Sequence, residues 1–185
     1  MRPARIEVPE TGPTDFRTLM ARFPTGVAVV AAFDSQGRPR GMTCTSVCSV
    51  SLEPPVLLVC IRHGSPTLEA ILDRAGFTVN LLHVGAESTA RLFASGQPDR
   101  FEAVRWYPGP DPAGPHFPDD AHAVADCHVL RTESVGDHTV VFGTVLRVSQ
   151  PRVAQQPRRP LLYGFRRYEA WPATLLENTG SPPVS

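Results

Sequence analysis

The sequence is most restrictive in what it does not contain. Lys plus Arg and Asp plus Glu each total 18, so the formal charge cancels and no basic excess argues for a nucleic-acid partner. No apolar run approaches the roughly 18 residues that span a bilayer. The N-terminal MRPARIEVPETGPTDF has no apolar core of a secretory signal, and a cytoplasmic setting is expected. There are four cysteines, Cys44, Cys48, Cys60 and Cys127, and none forms a C-x-x-C pair. That argues against zinc or dithiol chemistry and predicts buried, reduced thiols. No G-x-G-x-x-G follows a strand-like run, so no Rossmann subdomain is expected. Internal repeats, a nucleophile triad and paired carboxylates are missing as well. His63, His83, His116, His122 and His128 lack ligand-like spacing and a carboxylate context, so they read as structural or solvent-exposed and no metal is expected.

What remains is one domain's worth of chain, 185 residues with 42% hydrophobic content and 20 prolines. Residues 1–13 and 173–185 read as flexible ends, and 14–172 as the folded unit. Thr14 is expected to N-cap a helix whose Phe16, Leu19, Met20 and Phe23 form one apolar stripe against the core, stopped by Pro24. Ser65 and Pro66 have the N-cap and first-turn chemistry of a second helix, with Leu68, Ile71 and Leu72 inward. A third spans about 86–94, with Leu92 and Phe93 inward. Short runs rich in Val, Thr, Phe and Cys predict strands at 26–33, 40–52, 56–61, 77–82, 124–133 and 138–148. DSQGRP at 34–39 and VGDH at 135–138 read as hairpin connections. The proline-rich stretch 106–121 reads as a long surface loop. Together these predict a mainly β fold, a closed or nearly closed antiparallel barrel with a few peripheral helices.

The chemistry-bearing stretch is GMTCTSVCSVSLEPP at 41–55. With the period of a strand, Met42, Cys44, Cys48, Val50 and Leu52 point to one side, and Thr43, Thr45, Ser49 and Ser51 to the other. Ser46 breaks the pattern. A hydroxyl roughly every 7 Å suits the edge of a flat heteroaromatic ring and its polar tail. Read alone, the same pattern favours a solvent-facing Thr/Ser edge.

Five blocks in order alter that balance: TGVAVVAAF (25–33), GMTCTSVCSVSLEPPVLLVCI (41–61), FTVNLL (77–82), GDHTVVFGTV (136–145) and PLLYGFRRY (160–168). Together they resemble the short-chain flavin reductases, the reductase components of two-component flavin monooxygenases. The resemblance implies an antiparallel split β-barrel of Greek-key type, a homodimer, FMN or FAD as flavin, and NADH or NADPH as hydride donor. It places Met42, Thr43, Cys44, Thr45 and Ser46 along the isoalloxazine, with Ser49 and Ser51 toward the ribityl or phosphate. Asn80 would lie near the flavin, and Ser65 and Thr67 would cap a phosphate at a helix N-terminus. Arg100 and Phe101 match an RF pair, Tyr163 belongs to the PLLY block, and His138 matches the histidine beside the nicotinamide. The family carries segments such as PLLYHRGRY, whereas Gly164, Phe165, Arg166 and Arg167 follow Tyr163 here.

The implied activity is an NAD(P)H:flavin oxidoreductase that releases reduced flavin, by diffusion, to a partner monooxygenase. The cofactors carry the hydride chemistry, so no catalytic side chain is expected. The nicotinamide would dock over the flavin, with the 106–121 loop as one wall of the cleft. A non-enzymatic flavin carrier of the same fold is the alternative, and a cofactor-free β-barrel module a third reading.

Overall fold

The computed structural model describes residues 12–109, 114–150 and 158–170. Of the ends expected to be flexible, only Gly12 and Pro13 fall inside this range, and they start the first helix. That helix, α1 (Pro13–Ala21), leads into β1 (Thr25–Gly26), β2 (Ala28–Phe33), β3 (Pro39–Cys44), β4 (Val47–Leu52) and β5 (Pro55–Arg62). Then come α2 (Pro66–Arg74), β6 (Gly76–Leu82), a 3-10 turn (Val84–Ala86) and α3 (Glu87–Ala94). The short strands β7 (Tyr107–Pro108) and β8 (Pro115–His116) precede the long pair β9 (Ala121–Val135) and β10 (His138–Ser149), and β11 (Leu161–Gly164) with β12 (Arg167–Ala170) closes the described chain.

The main sheet has the order β3-β2-β6-β9-β10-β5-β4, all pairs antiparallel. Its edge strands, β3 and β4, are joined by only Thr45 and Ser46. Laid flat, seven strands at about 4.8 Å would hold those edges about 29 Å apart, whereas a two-residue link reaches about 11 Å. The sheet must therefore curl until its edges meet at that corner, which gives a barrel split between β3 and β4. Ser46 makes the seam: its hydroxyl donates to the Cys60 carbonyl at 3.0 Å and accepts from the Cys60 N–H at 3.2 Å. A side chain thus replaces the ladder bonds that the β4–β5 register would continue there.

Two cores share β2. Ala28, Val30 and Ala32 face the barrel interior with Val59, Ile61, Phe77, Val141 and the α2 residues Leu68 and Ile71. Val27, Val29 and Ala31 face an outer cluster of Phe93, Phe117 and Leu161. Covered on both sides, β2 is buried throughout, the physical reason its sequence is a continuous apolar run. Gly143 of β10 has no side chain because a Cβ would lie 2.5 Å from the Phe77 ring.

Several expectations are corrected. Residues 40–52 are two strands, and the face assignment fails beyond the corner: Cys48, Val50 and Leu52 are exposed, Leu52 at 84%. The cause is β4's position at the sheet edge, with a register shift between Ser49 and Ser51. Of the cysteines, Cys44 and Cys127 are buried, Cys60 is partly covered and Cys48 is exposed. Gly12, not Thr14, sits at the N-cap of α1, because Pro13 supplies the first-turn geometry one residue earlier. The stripe of Phe16, Leu19, Met20 and Phe23 faces away from this chain's core, at 45–63% exposure. Leu72 is also exposed, while Ser65 caps α2 as expected, accepting from Thr67 N–H. The 106–121 stretch is no surface loop over its described length: Phe117 and His116 are buried, and His116 Nε2 meets the Asp126 carboxylate at 2.6 Å. That pairing also overturns the expectation that His116 lacks a carboxylate context.

Candidate functional site

A cleft of about 790 Å³ opens at the split. One wall is the β3–β4 corner with its continuation, Thr45, Ser46, Val47 and Cys48, backed by Leu58 and Cys60 of β5. The other is α1 and the segment after it, Arg17, Met20, Ala21, Phe23 and Thr25, completed by Tyr163 and Arg166 from the β11–β12 hairpin. Local sequence explains this arrangement. Gly164 pairs with Arg167, leaving Phe165 and Arg166 as the two central residues of the tightest hairpin. Both adopt left-handed backbone, φ 50° and 61°, a conformation that costs a non-glycine residue about 1–2 kcal/mol. Contacts with the end of α1 hold it: Phe165 N–H donates to the Ala21 carbonyl, and Gly164 packs so closely on Pro24 that a Cβ would lie 3.2 Å away.

Within the cleft, Ser46 has its hydroxyl committed to Cys60 and within 3.3 Å of Cys44 Sγ. Thr45 is exposed, and its hydroxyl has no partner among the described residues. Burial pushes the Cys44 thiol above its ordinary pKa, with opposing help from Ser46, and it stays a neutral packing group.

Other expected residues lie outside the cleft's lining, toward the same end of the strands. Ser65 Oγ lies 3.7 Å from Met42 Sδ, which ties the start of α2 to β3, and buried Thr67 follows the cap. His138 opens β10 opposite Arg62, two residues past Cys60, with Nδ1 2.8 Å from Asp137. The bond and charge of His138 hold the Asp137 carboxyl below its ordinary pKa. Met42, Thr45, Ser46, Ser65, Thr67 and His138 therefore belong to one end of the barrel.

The remaining candidates lie elsewhere. Thr43, Val29 and Asn80 are register partners across β3, β2 and β6, and this row faces the outer cluster. Thr43 Oγ1 donates to the Ala90 carbonyl at 2.6 Å. Asn80 is fully buried; its amide donates to the Val29 and Pro115 carbonyls and to Thr78, and its oxygen accepts from Phe117 N–H. Ser49 and Ser51 run down the β4 edge away from the cleft. Phe101 packs edge-on against Phe93 at 5.0 Å, and Arg100 donates to the Gln97 carbonyl, its Nε buried without a partner. Burial pushes the Arg100 guanidinium below its ordinary pKa.

Arg17, Met20, Phe23 and Leu58 were not signalled by the sequence, because a cleft wall made of one helix and a distant strand has no local period. Arg166 lay in the segment already marked as unusual.

The cleft fits a flat, anionic cofactor on its own chemistry. Its size is in the range of small-molecule sites. Met20, Phe23, Val47 and Leu58 are apolar surface for a ring, Thr45 and Tyr163 offer hydroxyls, and two guanidinium groups lie among the lining residues with no carboxylate. No group of three or more His, Cys, Asp or Glu suited to a metal occurs among the described residues.

Residues 20–172 match the model of the flavin reductase like domain family. The chain is 46% identical over 158 residues to a flavin reductase (NADPH) of Lentzea aerocolonigenes, covering 85% of this chain and 89% of that protein. It is 44% identical over 161 residues to a flavin reductase (NADH) of Kitasatospora aureofaciens, covering 85% and 81%. Among solved structures, the NADH:FAD oxidoreductase SgcE6 of Streptomyces globisporus C-1027, in complex with NAD and FAD fragments, superposes with a TM-score of 0.79 at 31% identity, covering 90% of this chain and 98% of that one. The ordered sequence blocks, the split barrel and these matches agree: the chain belongs to the flavin reductase like domain family.

Proposed function

We propose that this protein is an NAD(P)H:flavin oxidoreductase that reduces FMN or FAD and supplies free reduced flavin to a partner monooxygenase. The observation that carries the reading is the cleft at the barrel split, where hydroxyls, apolar surface for a ring and two arginines without a partner among the described residues meet. The activities named for its relatives support it, as do relatives that are reductase subunits of flavin-dependent monooxygenases.

A bound flavin supplies the hydride acceptor, and the protein has to hold two rings at a near-attack distance of about 3–3.5 Å. Thr45 donates and accepts at the ring edge, while Ser46, fixed by Cys60, keeps the corner rigid and presents its backbone. Tyr163 and the apolar wall would hold the ring and exclude water from it. His138, half-exposed and oriented by Asp137, would bind the nicotinamide. Thr43 and Asn80 position the sheet from its outer face.

A homodimer fits the exposed stripe of Phe16, Leu19, Met20 and Phe23: a second copy would cover Phe16 and Leu19 beside the cleft that Met20 and Phe23 line. The proposed setting is the cytoplasm; no helix among the described residues is long and apolar enough to cross a membrane.

The test is steady-state oxidation of NADH and NADPH with excess FMN and FAD in all four pairings. Oxidation well above the spontaneous rate is expected. None in any pairing, with a flavin that survives gel filtration, establishes the non-enzymatic carrier instead. His138→Ala should raise the KM for the nicotinamide far more than that for flavin.

A further inference from the structure

Arg17 and Arg166 reach the cleft from elements far apart in sequence, the middle of α1 and the tip of the β11–β12 hairpin. Among the described residues, neither guanidinium has an ion-pair or hydrogen-bond partner and no carboxylate lines the cleft with them. Two cations that line one concavity suit a ligand that brings negative charge. The backbone points the same way. Arg166 sits at φ 61°, in a turn whose geometry favours glycine, so a costly residue occupies the position that projects into the cleft. Arg167, its neighbour, lines a separate small cavity with Pro24, Leu162 and Glu169. The turn thus parts the two arginines and gives the cleft only one of them.

We propose that Arg17 and Arg166 form a phosphate-binding subsite of this cleft, which takes a cofactor phosphate through charge-assisted hydrogen bonds. The proposal rests on the flavin reductase reading and deepens it. Two phosphates have the required chemistry, the 5'-phosphate end of FMN or FAD and the 2'-phosphate of NADPH.

The test uses the full chain and the variants Arg166→Gly, Arg17→Gln and Arg167→Gln. Arg166→Gly removes the charge and also relaxes the backbone, so it folds at least as well as the parent. KM values are measured for riboflavin, FMN and FAD at saturating nicotinamide, and for NADH and NADPH at saturating flavin. Loss of a charged hydrogen bond should cost about tenfold. If the subsite holds the flavin phosphate, both cleft variants raise KM for FMN and FAD about tenfold and leave riboflavin unchanged. If it holds the 2'-phosphate, KM for NADPH rises about tenfold and that for NADH does not. Arg167→Gln should change none of these constants. The proposal is overturned if riboflavin and NADH suffer as much as their phosphorylated counterparts, if nothing changes, or if Arg167→Gln acts like the cleft variants. Should the parent fail to oxidise NAD(P)H, the functional reading falls separately. Fluorescence-quenching titrations of FMN against riboflavin then decide the subsite without turnover: a parent preference for FMN that the cleft variants lose supports it, and equal binding of the two overturns it.

Discussion

The turn that joins β2 to β3 and the turn that joins β11 to β12 both reverse an antiparallel pair, and they differ in where their charges go. In the first, the Asp34 carboxylate accepts from Gln36 N–H, Arg38 N–H, and the guanidinium groups of Arg38 and Arg40, all within 3.2 Å. Its left-handed position is Gly37, φ 75°. In the second, Phe165 and Arg166 occupy left-handed backbone, Phe165 is 60% exposed, and the Arg166 guanidinium has no partner among the described residues. The first turn is consistent at every level and reads as structure. The second breaks local rules beside a cleft, which is where function is expected to override them.

Substitutions at the two turns and at the seam, together with acid, can break this contrast. The largest loss of stability should come from Asp34→Ala, which leaves two guanidinium groups and two N–H groups without their acceptor; thermal unfolding should move down by several degrees with flavin KM unchanged. The same turn should respond to acid. Burial pushes the Asp34 carboxyl up, but the bonds from Arg38, Gln36 and Arg40 outweigh it and leave the pKa at about 2. Because that lies below the unfolded value of about 3.9, the stabilisation is complete above roughly pH 4 and is lost as pH falls toward about 2. The melting temperature of the parent should therefore drop more steeply over that window than that of Asp34→Asn.

Gly37→Val should cost about 1–2 kcal/mol through the left-handed backbone alone, read by urea unfolding. Ser46→Ala, at the seam, should cost about 1 kcal/mol by removing the partner of Cys60 N–H and C=O. Thr45→Ala should leave stability unchanged and weaken flavin binding, which separates the two neighbours by measurement. One effect on stability has the opposite sign: Arg166→Gly should gain up to about 1 kcal/mol while the arginine's contribution to binding disappears. A loss of stability there would erase the contrast between the turns.

What was legible in the sequence is what local chemistry decides. Ser65 and Pro66 announce α2 because capping acts over three residues, and the 34–39 and 135–138 turns sit between strands they connect directly. What was not legible depends on distant partners. The break at Thr45–Ser46 exists because the barrel closes there, and Ser46's bonding partner is fourteen positions away; only its failure to obey the strand period hinted at it. The carboxylate beside His116 comes from β9, not from a neighbouring motif residue. The resemblance implies Asn80 near the flavin; its alternation sets it with Thr43 on the outer face, where it ties Pro115 and Phe117 to β6. The stripe on α1 has the right period for burial, and the period says nothing about which chain buries it.

The strand order has a consequence for how the protein is made. β9 pairs with β6 and β10 with β5, so this hairpin, late in the chain, enters between two groups of strands formed earlier. As the polypeptide leaves the ribosome, β3-β2-β6 and β5-β4 can assemble, but β6 and β5 each present a naked, apolar edge until Ser149 has emerged. A nascent chain stalled before that point carries two sticky edges and no closed core. Translation speed across 121–149, and the holdase chaperones available meanwhile, should therefore govern the soluble yield of this protein more than its final stability does.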